Sequence, residues 1–530
     1  MSTHLYVLQL NARLGDFEGN LARALEILNT RFEGFSTAED PQGTARVVIF
    51  PQGAFSGLMP LAAYRWEDVQ TREANALREL TRWVKAHGLT ALVPMSARLY
   101  AIDPDGTVHP YELSGGSIAA GESVLVWGRA VQAVEAKRSI YVDFGRAERL
   151  LDAPTSEETA QDLARYFVGE PSKDALSANV GVLGTGCACG VATSLVGGYD
   201  THVASGYMST YCEEVFTHYP DFREGFLYAL WNEGIFEEED YEPLSPELPT
   251  ESPLYTTLVV ALRDYVRKNG FSKVVLGLSG GIDSALVTSL AVDALGAENV
   301  RVLFMRTGFT SETSEQGVRE IVKNMGLTLH DFSFTELFDT TVGFLEKAYG
   351  VSLPWDVTEE NIQARLRALF VMAFSNKFNE LALCTSNKSE AAMGYGTLYG
   401  DITGGFAPLI DLWKGQIVEL CRERNAEAQG EWIPELIITR EPSAELRAGQ
   451  KDSDALPPYD TIEEVLEVFL STRSSAGITD VDPSLVESII RRTLQNQFKR
   501  AQGIPGPVVS KTPLSLLGDF GLTYQSPKAR

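Results

Sequence analysis

The stretch Val274-Val-Leu-Gly277-Leu-Ser279-Gly280-Gly281-Ile-Asp283-Ser284 decides how this chain is read. A short, unbroken apolar run at 274–278 is the pattern of a strand buried on both faces of a parallel sheet. Two adjacent glycines follow, and then a helical pattern over 284–295. A second apolar run at 300–305 completes a strand–loop–helix–strand unit. Such a unit opens a doubly wound sheet, in which ligands lie beyond the strand C-termini. The glycines let the backbone approach an anion and take up positive φ. Unpaired N–H groups at a helix start, aligned with its dipole, favour phosphate. Ser279 and Ser284 add hydroxyl donors, and Asp283 offers a carboxylate to Mg²⁺. A tight turn alone needs none of these side chains. The loop is not a Walker A loop, because G-x-x-x-x-G-K-[ST] is absent. Gly277, Ser279 and Gly281 do spell the G-x-S-x-G of a nucleophile elbow. The only histidine after Ser279 is His330, in the next βα segment, whereas a triad histidine normally comes late.

Working outward, a helix is expected over 254–269, before the first strand. Residues 236–252 (FEEEDYEPLSPELPTES) combine an acidic run with three prolines and are read as a linker. That divides the chain into a first domain, 1–235, and a second, 253–530. The first domain alternates expected strands at 5–10, 46–50 and 89–94 with helices at 19–29 and 74–86. Such alternation argues for layered α/β structure.

Composition narrows the function. The 530 residues carry 45 Lys+Arg against 71 Asp+Glu, a net charge of −26. An acidic surface repels nucleic acid and anionic membranes, so neither is an expected partner. A phosphate-bearing substrate must then be held by a local site against the global field. Five cysteines make no disulfide framework, and Cys187-x-Cys189 is a poor zinc signature. No run approaches the length of a membrane span and no signal peptide is recognisable, so a cytoplasmic enzyme is expected.

Ser279-Gly-Gly-Ile-Asp283-Ser284 resembles the pyrophosphate loop of the N-type ATP pyrophosphatases. That family cleaves ATP between the α and β phosphates to adenylate a substrate. It includes NAD, GMP and asparagine synthetases and tRNA-thiolating enzymes. Further segments resemble the NAD synthetases in particular: Asn361-Ile-Gln-Ala-Arg365, Thr385-Ser-Asn387-Lys388-Ser-Glu390, Tyr399-Gly400-Asp401, Lys414, Glu441-Pro-Ser443-Ala-Glu445, Leu456-Pro-Pro-Tyr459-Asp460 and Phe498-Lys499-Arg500. The resemblance implies an adenine-nucleotide α-hydrolase-like sheet, ATP as co-substrate, Mg²⁺ as cofactor and nicotinic acid adenine dinucleotide as acceptor. It assigns ATP to Ser279, Gly280, Gly281, Asp283, Ser284, Met305, Thr385 and Ser443. Asp283 and Glu390 would ligate Mg²⁺ and form the catalytic set with Lys414. Asn361, Arg365, Asp401 and Lys499 would contact the dinucleotide. One departure is Met305-Arg306-Thr307 in place of the family's usual Met-Pro-Ser, which leaves the adenine contact open. The chemistry is coherent. A carboxylate is a poor electrophile, so it is adenylated first, with Mg²⁺ and cations stabilising the departing pyrophosphate. Ammonia then attacks the acyl adenylate and releases AMP.

The first half resembles a nitrilase-like amidase, through Gln9-Leu-Asn11, Gly15-Asp16, Asn20 and Val48-Ile-Phe50-Pro51. An αββα sandwich is implied, with a Glu–Lys–Cys triad. The Glu should follow Phe-Pro directly, but residue 52 is Gln52. An amide takes no proton from a thiol at neutral pH. Lys137 is the candidate lysine. The nucleophile position falls on Gly184 or Thr185, and Cys187 comes two or three residues late. Gly184, Gly186 and Gly190, with Asp200 downstream, also form a weak dinucleotide-loop pattern. The expectation is an amidase fold that has lost glutamine hydrolysis, with ammonia supplied free or by a separate protein. A glutamine-dependent enzyme with an unusual site is the first alternative. A different ATP pyrophosphatase substrate, such as tRNA, is the second, and a non-enzymatic nucleotide-binding protein the third. The family's synthetase domains pair, so a homodimer or larger homo-oligomer is expected.

Overall fold

The computed structural model describes residues 3–13, 15–32, 45–51, 53–56, 67–95, 98–112, 115–120, 123–128, 139–143, 180–184, 207–211, 216–218, 224–232, 235–243, 252–351, 354–447, 449–510 and 512–514. The chain forms two units that meet in sequence at residues 247 and 248.

The first unit contains the strands β1 (Thr3–Gln9), β2 (Ala45–Ile49), β3 (Thr90–Met95), β4 (Arg98–Ile102), β5 (Val108–Glu112), β6 (Gly115–Ala120) and β7 (Ser123–Gly128). They are followed by β8 (Ser139–Asp143), β9 (Val180–Gly184), β10 (Tyr207–Tyr211), β11 (Phe216–His218), β12 (Gly225–Asn232) and β13 (Ile235–Pro243). One sheet runs β13-β12-β1-β2-β3-β4-β5, the other β11-β10-β9-β8-β7-β6. Helices α1 (Phe17–Phe32) and α2 (Glu67–His87) follow β1 and β2. Leu21, Ala24 and Leu28 of α1 and Val69, Ala76, Leu80 and Val84 of α2 pack with Tyr6, Leu8 and Val48 of the first sheet. Leu5 and Val7 alternate with Tyr6 and Leu8 and are also fully buried. Both faces of β1 are therefore covered, as a sandwiched sheet requires. The second sheet supplies the neighbouring layer, with β2 approaching β6 and β13 approaching β9.

Residues 235–243 correct the linker expectation. They form β13, antiparallel to β12 at the edge of the sheet, with an irregularity between Leu230 and Trp231. Charges and a terminal proline are what an edge strand tolerates, and they imitate a linker in sequence.

In the second unit β14 (Val274–Gly277), β15 (Val300–Arg306), β16 (Leu329–Ser333) and β17 (Leu381–Ala382) form a parallel sheet in the order β16-β15-β14-β17. The chain starts at β14, steps outward through β15 and β16, and returns on the other side at β17. The direction of winding therefore reverses between β14 and β17, and a crevice opens there. Helices α3 (Pro253–Lys268) and α4 (Ile282–Leu295) cover the face of Val274 and Leu276. After α5 (Glu312–Asn324) and α6 (Thr335–Tyr349), α7 (Val357–Phe378) covers the opposite face, where Val371 meets Val275, Leu303 and Ala382. Helix α4 buries apolar side chains on every side because it lies inside the core, with Asp283 at its N-terminus facing the crevice. Then come α8 (Lys388–Met393) and α9 (Lys414–Glu427). Among the described residues, no helix is long and apolar enough to cross a membrane.

Candidate active site

The loop after β14 is built around Gly280. Its φ is +86°, and a Cβ there would lie 2.7 Å from the Ser314 carbonyl oxygen at the start of α5. Only glycine fits such a crossing. The two serines stitch the loop together. Ser284 Oγ donates to the Gly281 carbonyl at 3.0 Å and accepts from the Ser279 N–H at 3.2 Å. Ser279 Oγ accepts from the Gly281 N–H at 3.2 Å. Helix α4 begins after Gly281 with no side chain capping its N-terminus. That leaves its first N–H groups for a ligand.

Across the crevice, α8 is closed by a capping box. Asn387 Oδ1 accepts from the Glu390 N–H at 2.9 Å, and Glu390 Oε2 accepts from the Asn387 N–H at 3.3 Å. The Asn387 amide also donates to Asp283 Oδ1 at 2.9 Å, while Lys414 Nζ donates to Asp283 Oδ2 at 2.5 Å. Burial and the nearby Asp283 carboxylate push Glu390 well above the usual carboxylate range, against the pull of Lys414. Burial alone would lower the Lys414 ammonium. The Asp283 and Glu390 carboxylates outweigh that and hold it above its ordinary value. Two carboxylates crowded out of water, with hard oxygen donors, fit a Mg²⁺ ion. No group of three or more metal-ligating side chains occurs among the described residues. Mg²⁺ needs none, since it keeps waters and takes one or two carboxylates plus substrate phosphates.

These groups line a cleft of about 470 Å³, together with Met305, Thr385 and Ser443. Ser443 Oγ donates to the Gln450 carbonyl at 2.6 Å and shapes the far wall. Asn361, Asp401 and Lys499 meet on the loop after α8. Thr397 donates from its N–H to Asp401 Oδ1 at 2.9 Å and from its hydroxyl to Asn361 Oδ1 at 2.6 Å. Lys499 Nζ donates to the Gly394 and Gly396 carbonyls, both at 2.8 Å.

Arg365 is not brought into the cleft. It is exposed, and its Nε donates to the Leu398 carbonyl at 3.3 Å. The cleft face of α7 runs through Asn361, Ala364, Ala368 and Val371. Arg365 falls past the edge of that face, on a stripe with exposed Leu369 and Met372. Arg306, the departure from the family pattern, turns outward to Asp331 with Nε–Oδ1 at 2.7 Å and leaves Met305 on the cleft wall.

Sequence reasoning gave no role to three cleft residues. Arg367 lines the cleft two positions beyond Arg365. Arg440 and Glu445 form an ion pair at 2.5 Å, and both bond to Ser314 Oγ beside the glycine loop. It also missed a brace. Lys388 is fully buried, 3.2 Å from Asp411 Oδ1, and donates to Ser510 Oγ at 2.8 Å. Asp411 Oδ2 accepts from the Val509 and Ser510 N–H groups at 2.8 and 2.7 Å.

In the first unit, Gln52, Lys137, Thr185 and Cys187 lie outside the described residues. The Asn20 of the amidase-like motif is described, and its work is structural. Its amide donates to the Arg13 and Phe55 carbonyls, and its Oδ1 accepts from the Arg13 N–H, all at 2.7 Å. It ties the turn after β1 to the turn after Pro51.

A doubly wound sheet with a glycine–serine loop at its switch point, and two carboxylates facing a lysine, defines the site as that of an ATP pyrophosphatase. Residues 254–503 match the family described as NAD synthase, and this segment is an NAD synthase domain. The chain is 41% identical over 329 residues to a glutamine-dependent NAD(+) synthetase of Acinetobacter baylyi, covering 60% of each. It is 43% identical over 264 residues to one of Aquifex aeolicus, covering 49% of this chain and 46% of that one. It thus spans about half to three fifths of the length of these curated relatives. Two solved structures share the fold over 97% of this chain and 98% of their own. They are a glutamine-dependent NAD+ synthetase of Acinetobacter baumannii in complex with ADP, with a TM-score of 0.66 and 24% identity, and one of Cytophaga hutchinsonii, with 0.68 and 14%.

Proposed function

We propose that this chain is an NAD synthetase that adenylates nicotinic acid adenine dinucleotide with ATP and then converts the acyl adenylate to the amide. The observation that carries this is the meeting of Asp283, Asn387, Glu390 and Lys414 at the switch point of an NAD synthase domain. The loop 279–284 holds the ATP phosphates through its N–H groups. Asp283 and Glu390 hold Mg²⁺, which neutralises charge on the pyrophosphate. Lys414 adds a cation beside the same leaving group. Asn361, Asp401 and Lys499 orient the dinucleotide.

Glutamine is the source of ammonia that the relatives support, since they are named glutamine-dependent. Free ammonia is the second reading, favoured by Gln52 where the amidase resemblance asks for Glu. NAD formation with ammonium and with glutamine, supplied in parallel, separates the two. Activity with neither would overturn the synthetase reading itself.

The chain also acts as a homodimer in this proposal. Phe344, Tyr349, Trp355, Leu369 and Phe378 expose large apolar side chains on or beside α6 and α7. Arg365 shares the exposed Leu369–Met372 stripe of α7, outside its own chain's cleft, and in this proposal reaches substrate across the interface. Sedimentation of wild type against Leu369→Glu tests it.

A further inference from the structure

One cation in the cleft has no task in the chemistry above. Arg367 lines the wall on α7, and its Nε donates to the Met305 carbonyl over a long 3.4 Å. Among the described residues it has no ion pair. The other cleft cations are engaged: Lys414 with Asp283, Arg440 with Glu445, Lys499 with two carbonyls. Burial pushes the Arg367 guanidinium down to about 10, with the Glu445 and Asp401 carboxylates resisting from a distance. It remains charged at neutral pH. A cation withdrawn from water without an anion is costly, and the cost is offset when a ligand brings the anion.

Position identifies the anion. Met305 is the penultimate residue of β15, beside the glycine loop assigned to the ATP phosphates. Asn361 lies on the same helix as Arg367, toward the loop that carries Asp401. Arg367 therefore stands between the nucleotide end of the cleft and the dinucleotide end. Adenylation must press a carboxylate against a phosphate there, two groups of like charge. A planar guanidinium with a fork of donors can hold one oxygen of each.

We propose that Arg367 bridges the pyridine carboxylate of the dinucleotide and the α-phosphate of ATP during adenylation. This rests on the NAD synthetase reading. A carboxylate oxygen attacks the α-phosphorus, and the bond from that phosphorus to the pyrophosphate oxygen breaks. The electron pair leaves on pyrophosphate, and no proton moves. Arg367 offsets the repulsion as the anions close.

The test uses the full chain and dinucleotide-dependent exchange of labelled pyrophosphate into ATP. Arg367→Gln is expected to lower kcat for exchange about 100- to 1000-fold, with KM for ATP nearly unchanged. Arg367→Lys keeps the charge but loses the fork, and is expected at least about tenfold below wild type. Millimolar guanidinium is expected to restore part of the rate to Arg367→Ala, which a purely structural role would not allow. Exchange by Arg367→Gln within about threefold of an active wild type overturns the inference alone. So does a loss confined to KM. If the Gln variant does not fold, the Lys variant decides, and parity with wild type overturns the proposal. A wild type that makes no NAD overturns both this inference and the reading beneath it.

Discussion

The two units differ in what their motifs do. In the second, residues from Ser279 to Lys499 fold back to one crevice, and every quoted motif but Leu456–Asp460 supplies a residue that lines it. In the first, the motif that most resembles an amidase holds turns together. Asn20 spends its three side-chain hydrogen bonds on backbone groups of Arg13 and Phe55. A fold tolerates many apolar substitutions, provided the pattern is kept. A site tolerates none in the atoms that carry charge or a proton. Sequence likeness in the first unit therefore reports architecture, and in the second it extends to chemistry.

Variants can break that contrast or sharpen it. The largest effect is expected from Asp283→Asn, which strips the crevice of one carboxylate and of the Lys414 partner. NAD formation with ammonium should fall by about a thousandfold or more, measured as initial rate at saturating ATP. Retained activity would mean that the convergence is not the site. Next, should glutamine support the reaction, Cys187 is the first candidate for the nucleophile, and Cys187→Ala should then lower the glutamine-supported rate by at least about a hundredfold while sparing the ammonium-supported rate. Equal loss with both donors, or none with glutamine, would remove Cys187 as nucleophile. Asn20→Ala should destabilise the first unit by about 1–3 kcal/mol, since it orphans buried backbone groups. Urea unfolding measures that, and ammonium-supported activity below the transition should not change. The smallest effect belongs to Arg306→Ala, which removes a partly exposed ion pair worth about 0–1 kcal/mol. NAD formation should stay within about twofold. A larger loss would show that the departure from Met-Pro-Ser reaches the nucleotide after all.

Much of this was legible. The run at 274–278 and the helix after it could be read because a buried parallel strand leaves an unbroken apolar signature. The acidic stretch at 236–243 could not, because an edge strand has no apolar alternation to protect and so resembles a linker. Arg365 closes the quoted motif, and Arg367 lies two positions past it. Rotation about α7 alone sends the second into the cleft and the first to the surface. Counting on from Asn361 by helical spacing favours Arg365, one turn away at i+4, over Arg367 at i+6, so the spacing alone points to the wrong arginine. The Arg440–Glu445 pair left no such trace, because its meeting with Ser314 depends on how α5 packs.

The brace at Lys388 has a consequence for the order in which the site can come into being. Asn387 and Glu390 flank a buried ammonium whose partners include Ser510, and Asp411 is held by the N–H groups of residues 509 and 510. The glycine loop lies more than two hundred residues earlier in the chain, and the last strand of its sheet about 130 residues earlier. Helix α8 is fully clasped only once those late residues arrive. The side of the crevice built by Asn387 and Glu390 is thus completed only after synthesis has passed residue 510.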